Sequence, residues 1–233
     1  MRVKWMLSRR RWNVNFSLSS KKYLNPVSLL NMVHSQSVVF IPSEALYEDE
    51  MMRRQELDVL HESIRNCRLC PLHETRLNAV PGEGPYDARV LLIGEAPGAR
   101  EDELGRPFVG RSGELLTHMI ESIGLTRDEV FITSVLKSRP PNNRTPTKSE
   151  IEMCRPYVEK QIELVNPRVV VLLGGVAISS MVGPWSVSES HGQFFEAKGR
   201  TFFMTYHPAA ALRFPKVKTL MAADFRILRS GLL

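Results

Sequence analysis

Three cysteines are the residues of this sequence whose type and spacing most directly indicate chemistry. Cys67 and Cys70 form a C-x-x-C pair, and the third, Cys154, lies far along the chain. Paired thiols at this spacing bind a metal or carry out redox chemistry. A thioredoxin-like redox pair follows a strand, whereas this pair follows apolar residues at helical spacing. The spacing therefore favours a metal site over a redox site.

A second set of candidate residues lies where predicted strands end or in the loops that follow them. Its members are Glu95, Phe108, Ser134 and His207. Because ligands of open α/β sheets bind at the carboxyl ends of the strands, we expect these four side chains to line one pocket. Each also has a purely structural interpretation. Glu95 fits a solvated loop carboxylate, Phe108 a core aromatic residue, and His207 a hydrogen-bonded histidine at a strand end.

The segment GEAPG, residues 94–98, follows the first predicted strand. Gly94 and Gly98 lack a Cβ atom and Pro97 stiffens the turn, so the backbone can approach a ligand closely. The segment is neither the dinucleotide-binding fingerprint nor a Walker A loop. A tight strand-to-helix turn explains it equally well.

Strands and helices alternate along the chain and predict the elements that position these residues. Apolar periodicity predicts helices over 53–66, around 115–123, over 147–162 and over 216–231. Short apolar runs predict buried strands over 89–94, 129–137 and 168–174, and GQFFEA with TFFMTYH predicts a hairpin or two neighbouring strands. We therefore predict an α/β fold, a three-layer α/β/α sandwich with a mostly parallel central sheet.

Composition is that of an ordinary globular protein. The chain has 233 residues, and its 43% hydrophobic content argues against wholesale disorder. Three cysteines, an odd number, do not fit a secreted disulfide framework and favour a reducing compartment. No apolar run approaches the roughly 20 residues that a membrane-spanning helix needs. We therefore predict a cytoplasmic protein without a membrane partner.

The positive charge of the chain is concentrated at its N-terminus. Residues 1–43 carry seven Lys or Arg and no Asp or Glu, whereas the remainder carries 24 basic and 25 acidic residues. The overall pI is thus no evidence for nucleic-acid binding. The segment is typical of an organellar transit peptide, although an extension, or translation starting at Met51 or Met52, is the simpler interpretation. We predict that residues 1–50 are a disordered or non-native extension and that residues 51–233 form the domain.

Four segments, taken together, resemble a known family. They are GEAPGAREDELGRPFVGRSGELL from residue 94, VLKSRPPNNRTP from residue 135, RPYVEKQIELVNPRVVVLLGGVA from residue 155, and YHPAAALR from residue 206. These motifs are similar to those of the family 4 uracil-DNA glycosylases, the iron–sulfur glycosylases of bacteria and archaea. The resemblance covers roughly residues 53–231 and implies the uracil-DNA glycosylase fold.

The resemblance implies a role for each matching residue of the pocket. Gly94, Glu95 and Ala96 belong to the motif that approaches the flipped uracil and its sugar, with Glu95 as a catalytic carboxylate. Phe108 matches the aromatic residue that stacks on uracil. His207 matches the catalytic histidine that meets a uracil carbonyl and stabilises the departing base.

Other matching residues support the pocket or face DNA. Glu101 and Asn143 match a loop glutamate and asparagine that support the site. The segment after His207 matches a loop that wedges into DNA, where Leu212 or Phe214 can fill the gap left by a flipped base. The DNA-contacting residues that we predict are Arg139, Arg144, Leu212, Arg213 and Lys216. The alternative interpretation is that several of these basic residues, and Lys218, are ordinary charged residues of the surface.

Ser134 is the first departure from the family pattern. The family presents an asparagine here, and its amide reads uracil through paired donor and acceptor groups. A serine hydroxyl is shorter and has only one donor, so it does not reproduce this bidentate contact. The substitution predicts weaker activity, or a range that extends to other deaminated bases such as xanthine or hypoxanthine.

Ser138 is the second departure. The family binds a four-iron four-sulfur cluster through four cysteines, three of which match Cys67, Cys70 and Cys154, and Ser138 occupies the fourth position. Fe–S clusters are ordinarily held by thiolates, so the 4Fe-4S cluster that the resemblance implies is in doubt. Ser138 as an oxygen ligand, or zinc bound by the cysteines and another ligand such as His73, are the alternatives.

The resemblance implies a DNA glycosylase that flips out and hydrolytically removes uracil, and we expect it to act as a monomer on single- or double-stranded DNA without a diffusible cofactor. The alternative is a protein of the same fold that binds lesions or abasic sites with little or no turnover. A hydrolase of small nucleotide-like substrates is a third interpretation, which the DNA-wedge loop disfavours.

Overall fold

A computed structural model describes residues 44–232 of the chain. Predictions that concern residues 1–43, including targeting, lie outside the described residues. The helices are α1 (Glu44–Arg65), α2 (Ala99–Leu104), α3 (Arg111–Ser122), α4 (Lys148–Val165), α5 (Gly175–Met181), α6 (Val187–Ser190), α7 (Pro208–Arg213) and α8 (Pro215–Leu232). The strands are β1 (Val90–Gly94), β2 (Phe131–Ser134), β3 (Val169–Leu173), β4 (Gln193–Ala197) and β5 (Arg200–Thr205). Short 3₁₀ turns cover Pro71–Glu74, Arg127–Glu129 and Pro141–Asn143.

The five strands form one sheet in the order β2-β1-β3-β5-β4. The first four strands are parallel, and β4 pairs antiparallel with β5 at the edge. Gly94 lies opposite Ser134, and Leu173 lies opposite Thr205, so the carboxyl ends of the parallel strands meet along one edge of the sheet. The mostly parallel sheet confirms the predicted fold class.

Both faces of the sheet are covered by helices. Alternate strand residues such as Leu92 and Phe203 pack under α3 and α8 on one face. Their neighbours Leu91 and Phe202 pack under α1, α4 and α5 on the other face. Because both sets are buried, the inner strands read as continuous apolar runs instead of alternating ones. The result is the predicted three-layer sandwich.

Two predicted elements, α1 and β2, differ clearly from the structure. Helix α1 begins at Glu44, before the predicted start at residue 53. Strand β2 covers only Phe131–Ser134 of the predicted 129–137. Beyond Ser134 the chain stays buried, and the amide of Val135 still donates to the carbonyl of Gly94 at 2.9 Å. The apolar run therefore continues past the point where regular strand structure ends.

The predicted capping box at the start of α4 is present. The backbone amide of Glu150 donates to the hydroxyl of Thr147, and the Glu150 carboxylate accepts from the Thr147 amide.

Within residues 44–232, no helix is long and apolar enough to cross a membrane.

Candidate functional site

A cavity of about 700 Å³ opens where the parallel strands end. Glu95 follows β1, Ser134 is the last residue of β2, and His207 lies two residues after the end of β5. Phe108 reaches the cavity from the loop between α2 and α3. The structure thus brings together the four residues that were expected to share a pocket. Further predicted residues in the lining are Ala96, Glu101, Asn143, Arg144 and Arg213.

The ring of Phe108 lies directly on β1 because Gly94 has no side chain. A Cβ atom at Gly94 would lie 2.5 Å from Cζ of this ring, which leaves no room for another residue. Phe108 itself has a φ of 49°, a left-handed conformation that costs about 1–3 kcal/mol in a non-glycine residue. The guanidinium of Arg127 stabilises this loop by donating to the Phe108 carbonyl at 3.1 Å and to the carbonyl of Pro107. Backbone strain held in this way is typical of ligand-binding sites.

Glu101 ties the two loops of the cavity together. One carboxylate oxygen accepts hydrogen bonds from the amides of Val109 and Gly110, both at 2.9 Å. The other oxygen accepts from the amide of Gly98 at 3.1 Å. The carboxylate therefore fixes the Phe108 loop relative to the turn after β1, a supporting position.

His207 occupies the N-cap position of α7, and its ring is held in one orientation. Its Nδ1 accepts a hydrogen bond from the amide of Ala209 at 3.1 Å, so in the neutral ring the proton is on Nε2. Burial lowers the pKa of His207 to about 4. The ring centroid lies 5.7 Å from that of Phe108. At neutral pH the cavity therefore contains an uncharged imidazole with Nε2–H as a hydrogen-bond donor.

Glu95 provides the carboxyl group of the cavity. Burial raises the pKa of this group above its ordinary value. Within the described part of the chain, its side chain makes no hydrogen bond, so both oxygens are available to a ligand. A carboxylate and a neutral imidazole donor in one cavity can stabilise opposite charges that develop on either side of a breaking bond.

The buried side chain of Lys137 holds the backbone of Ser134 in place. Ser134 is 4% exposed, and its carbonyl accepts a hydrogen bond from Nζ of Lys137 at 2.9 Å. The same ammonium contacts Thr133 and Gln161, and burial lowers the pKa of Lys137 to about 7. The Gln161 amide in turn donates to the ring of His61 on α1. This buried network fixes the end of β2 and leaves the Ser134 hydroxyl facing the cavity.

The sequence that forms this site matches the model of a known protein family. The model of the uracil DNA glycosylase superfamily matches residues 81–229. The chain belongs to this superfamily.

Individual members of the superfamily are closely similar to the chain. A type-4 uracil-DNA glycosylase of Pyrobaculum aerophilum is 42% identical over 187 residues, which are 76% of this chain and 94% of that protein. One from Thermotoga maritima is 43% identical over 167 residues, 70% of this chain and 87% of that protein. A type-5 uracil-DNA glycosylase of Pyrobaculum aerophilum is 34% identical over 148 residues, 56% of this chain and 65% of that protein. The similarity is thus higher and longer for the type-4 members.

The predicted DNA-contacting residues differ in whether they are exposed or already paired within the protein. Arg213 lies in the cavity wall at the end of α7, and exposed Leu212 and Lys216 lie on either side of it, outside the lining. Arg144 also lines the cavity, but both its terminal nitrogens donate to the Glu150 carboxylate, at 2.9 and 2.6 Å. This pairing is the main reason that the pKa of Glu150 falls to about 2. Arg144 is therefore committed to the protein more than to a phosphate.

Arg139 lies outside the cavity lining, and its Nε donates to the side-chain oxygen of Asn143 at 2.8 Å. It thus positions the asparagine that lines the cavity. Phe214, next to Arg213, is 58% exposed and also lines the cavity. An exposed aromatic side chain at the cavity entrance is available to contact a large ligand.

The three cysteines lie in a common corner beside α1 and α4. Cys154 is buried and packs with Leu136, while Cys70 lies at the edge of the same cluster. The sulfur of Cys154 accepts the Lys137 amide at 3.3 Å, and that of Cys67 accepts the Leu69 amide at 3.5 Å. Amides that point at sulfur atoms are compatible with thiolate ligands at Cys67 and Cys154.

The fourth position of this corner is held by an arginine. The hydroxyl of Ser138, 5% exposed, accepts a hydrogen bond from the guanidinium of Arg76 at 2.8 Å. The same guanidinium donates to the backbone carbonyls of Arg65 and Cys67. Three chain segments are thereby joined by hydrogen bonds.

The donor set of this corner does not fit a four-thiolate cluster. Within the described residues, no group of three or more His, Cys, Asp or Glu side chains is arranged to hold a metal ion. His73, the predicted alternative ligand, directs its Nδ1 to the Cys70 carbonyl at 2.7 Å. This contact leaves Nε2 as the ring nitrogen of His73 that is available to a ligand, so zinc bound by the cysteines and His73 stays a prediction.

Sequence reasoning missed Arg76 and Lys137. Both are ordinary basic residues in the sequence, and neither type of side chain indicates burial. The signal for Lys137 was its place directly after an apolar run that ends a buried strand. Nothing in the sequence alone connects Arg76 with Ser138, which is 62 residues away.

Proposed function

We propose that this chain is a monofunctional uracil-DNA glycosylase, which hydrolyses the bond between uracil and deoxyribose in DNA and leaves an abasic site for base excision repair. The observation that carries the proposal is the cavity in which His207, Glu95 and Phe108 meet. The similar proteins of type 4 and type 5 are named for this activity. The chain spans 94% of the Pyrobaculum type-4 protein, so the proposal concerns the whole of such an enzyme.

The target nucleotide must leave the DNA stack before it can enter the cavity. Unstacking costs a few kcal/mol, which contacts in the pocket and in the DNA gap must offset. The ring of Phe108 offers a flat surface on which the extruded uracil stacks. Leu212 and Phe214, both exposed beside the cavity, are the apolar side chains available to fill the gap in the duplex.

His207 stabilises the departing base in this proposal. Cleavage of the N-glycosidic bond leaves negative charge on uracil, and the Nε2–H of His207 donates to a uracil carbonyl oxygen. Because Ala209 holds Nδ1, this donor is aimed before the reaction starts. Preorganised donors of this type are among the largest contributors to catalysis.

Glu95 acts on the opposite side of the bond. The sugar becomes positively charged as uracil departs, and a carboxylate near it stabilises that charge or orients the attacking water. The absence of a hydrogen bond to Glu95 in the described residues leaves its oxygens available for either task.

Ser134 determines how the base is read. Its single hydroxyl offers one donor, so it cannot make both contacts that an amide makes with uracil. We expect recognition to depend more on stacking and on His207, with a broader range of deaminated bases as the consequence.

DNA is the proposed macromolecular partner, and its phosphates meet Arg213 at the end of α7 and Lys216 at the start of α8. We further propose that the protein acts as a monomer in the cytoplasm. The archaeal and bacterial sources of the type-4 relatives reported above support a prokaryotic cell. Residues 51–233 form the catalytic domain. The cysteine corner is assigned a structural role, and no chemical step passes through it.

Oligonucleotides that carry one uracil test the proposal. Single- and double-stranded substrates are incubated with the protein and treated with alkali, which cleaves abasic sites. Strand cleavage at the uracil position, absent from a thymine control, supports the enzyme. Tight retention without cleavage would instead indicate a lesion-binding protein, and no interaction with DNA would contradict both.

A further inference from the structure

A buried carboxylate lies behind the strand that presents His207. Asp224 on α8 is 2% exposed, and its Oδ2 accepts a hydrogen bond from the hydroxyl of Thr205 at 2.7 Å. Its Oδ1 accepts from Nδ1 of His191 at 2.9 Å. We infer that Asp224 is a positioning residue, which fixes the end of β5 and thereby the imidazole of His207. This inference rests on the proposed function.

The connection between Asp224 and His207 is short. Thr205 is the last residue of β5, and only Tyr206 separates it from His207. The Thr205 carbonyl accepts a hydrogen bond from the Gly174 amide at 2.9 Å, so backbone and side chain of this residue are both held. A Cβ atom at Gly174 would lie 2.8 Å from Cβ of His207, which shows how closely the adjoining strand end packs on the histidine.

His191 extends the same support to the intervening residue. Its ring centroid lies 4.8 Å from that of Tyr206, at an interplanar angle of 44°. Asp224 thus orients Thr205 by a direct hydrogen bond and contacts Tyr206 through His191. The two residues that precede His207 are held by one carboxylate.

An apolar residue at position 224 would suit packing alone. The neighbours of Asp224 on α8, Met221 and Phe225, belong to the hydrophobic core. Burying a carboxylate among such residues is unfavourable unless hydrogen bonds compensate for it, and here they come from two donors near the site. A buried aspartate at position 224 is explained if its function is to orient the end of β5.

Asp224 and His191 do not themselves form a second catalytic pair. In the part of the chain that the structure describes, neither residue lines the cavity of Glu95 and His207. They cannot touch the base, so any effect on excision must pass through the strand end.

The test compares two variants with a matched control. Asp224→Asn keeps the shape of the side chain but places an amide N–H against the donor of Thr205 or of His191. Thr205→Val removes the hydroxyl that donates to Asp224. A displacement of about 1 Å in a catalytic group can lower the rate about 100-fold, so we expect single-turnover uracil excision to fall 10- to 100-fold in both. Thr205→Ser, which retains the hydroxyl, should restore most of the rate.

Ser190→Ala is the control. Ser190 is buried next to His191 and donates to the carbonyl of Ser186 at 2.6 Å, and in the described residues its hydroxyl makes no hydrogen bond to β5. Its replacement removes a buried hydrogen bond nearby and should leave the excision rate within twofold of wild type. A general loss of stability would affect this variant as well.

Combination with His207→Ala distinguishes positioning from a structural defect. If Asp224 acts through the histidine, Asp224→Asn should lower the residual rate of His207→Ala less than twofold. An undiminished 10-fold loss in that background, or wild-type rates for both Asp224→Asn and Thr205→Val, would overturn the inference.

A spectroscopic measurement keeps the inference separate from the proposed function. The ¹H–¹⁵N correlations of the His207 ring report its tautomer and environment whether or not the protein excises uracil. They should shift in Asp224→Asn and stay unchanged in Ser190→Ala. Unchanged His207 signals in Asp224→Asn would overturn the positioning role, whereas failure of wild type to excise uracil would contradict only the proposed function.

Discussion

Burial acts in opposite directions on the two titratable side chains of the cavity. It raises the pKa of Glu95 and lowers the pKa of His207 to about 4. The neutral imidazole, the active form in our proposal, therefore persists well below pH 6.5. The ionised carboxylate, also the active form, is lost at a pH above the ordinary value of 4.5. The acidic limit of activity should consequently belong to Glu95.

This assignment predicts the pH dependence of uracil excision. As the pH falls, kcat/KM should decrease through the raised pKa of Glu95 because the carboxyl becomes protonated. Glu95→Gln should be slower and should lose this decrease, since it has no proton to gain. A pH–rate profile of both proteins checks the prediction. A decrease of the same position and shape in Glu95→Gln would contradict the assignment.

The serine at position 134 should affect which deaminated bases the protein excises. Ser134→Asn restores an amide that offers a donor and an acceptor at the end of β2, and a site built to hydrogen-bond its substrate rejects analogues strongly. We expect the preference for uracil over hypoxanthine and xanthine to rise at least about 10-fold. Excision rates on matched oligonucleotides measure this preference, with Ser134→Ala as the control for loss of the hydroxyl. If Ser134→Asn changes neither rate nor preference, Ser134 does not contact the base.

At the scale of elements, the cysteine corner joins α1, α4 and the segment after β2. Arg76 connects the end of α1 with the segment after β2 by hydrogen bonds to Ser138 and to two carbonyls, and Cys154 of α4 accepts the amide of Lys137 in that segment. Ser138→Cys would supply a fourth thiol at this position. We expect the variant to bind more iron and acid-labile sulfide than wild type and to gain visible absorption, because clusters are ordinarily held by thiolates.

Anaerobic purification followed by iron and sulfide analysis checks this prediction, and Ser138→Ala is the matched control. Wild type and Ser138→Ala should both contain well below four iron atoms per chain, consistent with the donor set described above. Wild-type protein that contains as much iron and sulfide as Ser138→Cys would show that the serine does not prevent assembly.

The elements differ in how well the sequence predicts them, for physical reasons. Strands β1 and β3 lie within one residue of their predicted bounds because both faces are buried, which gives short and unambiguous apolar runs. The prediction for β2 was too long because Val135 and Leu136 are buried after the strand ends. Burial, not strand geometry, is what an apolar run reports.

The candidate site was predictable where residues follow strand ends, since the topology alone brings Glu95, Ser134 and His207 together. Its supporting residues were not. Asp224 has a side chain of a type that is rarely buried, and its burial depends on how α8 packs against β5. Long-range hydrogen bonds of this type leave no periodic signal in the sequence.

At the scale of the whole molecule, buried histidines link stability to pH. The pKa values of His61 and His207 are lowered to about 4, mainly by burial, while an unfolded chain has the ordinary value of 6.5. Between these limits the unfolded state binds more protons, so the free energy of unfolding should decrease as the pH falls from 6.5 to 4. The expected loss is on the order of a few kcal/mol.

Urea denaturation at a series of pH values measures this dependence. His61→Gln should flatten the curve between pH 6.5 and 4, because one of the two proton-linked groups is removed. His118→Gln, on the exposed face of α3, is the control and should leave the slope unchanged. Equal slopes for wild type and His61→Gln would contradict the linkage.

The central claim is that the cavity at the strand ends releases uracil with His207 as its hydrogen-bond donor. Single-turnover release of free uracil from a duplex oligonucleotide, followed by chromatography, tests it most directly. The account predicts rapid release by wild type and a decrease of about 100-fold or more for a folded His207→Ala protein that still binds the DNA. Release at the wild-type rate by His207→Ala, or no release by wild type, would contradict it.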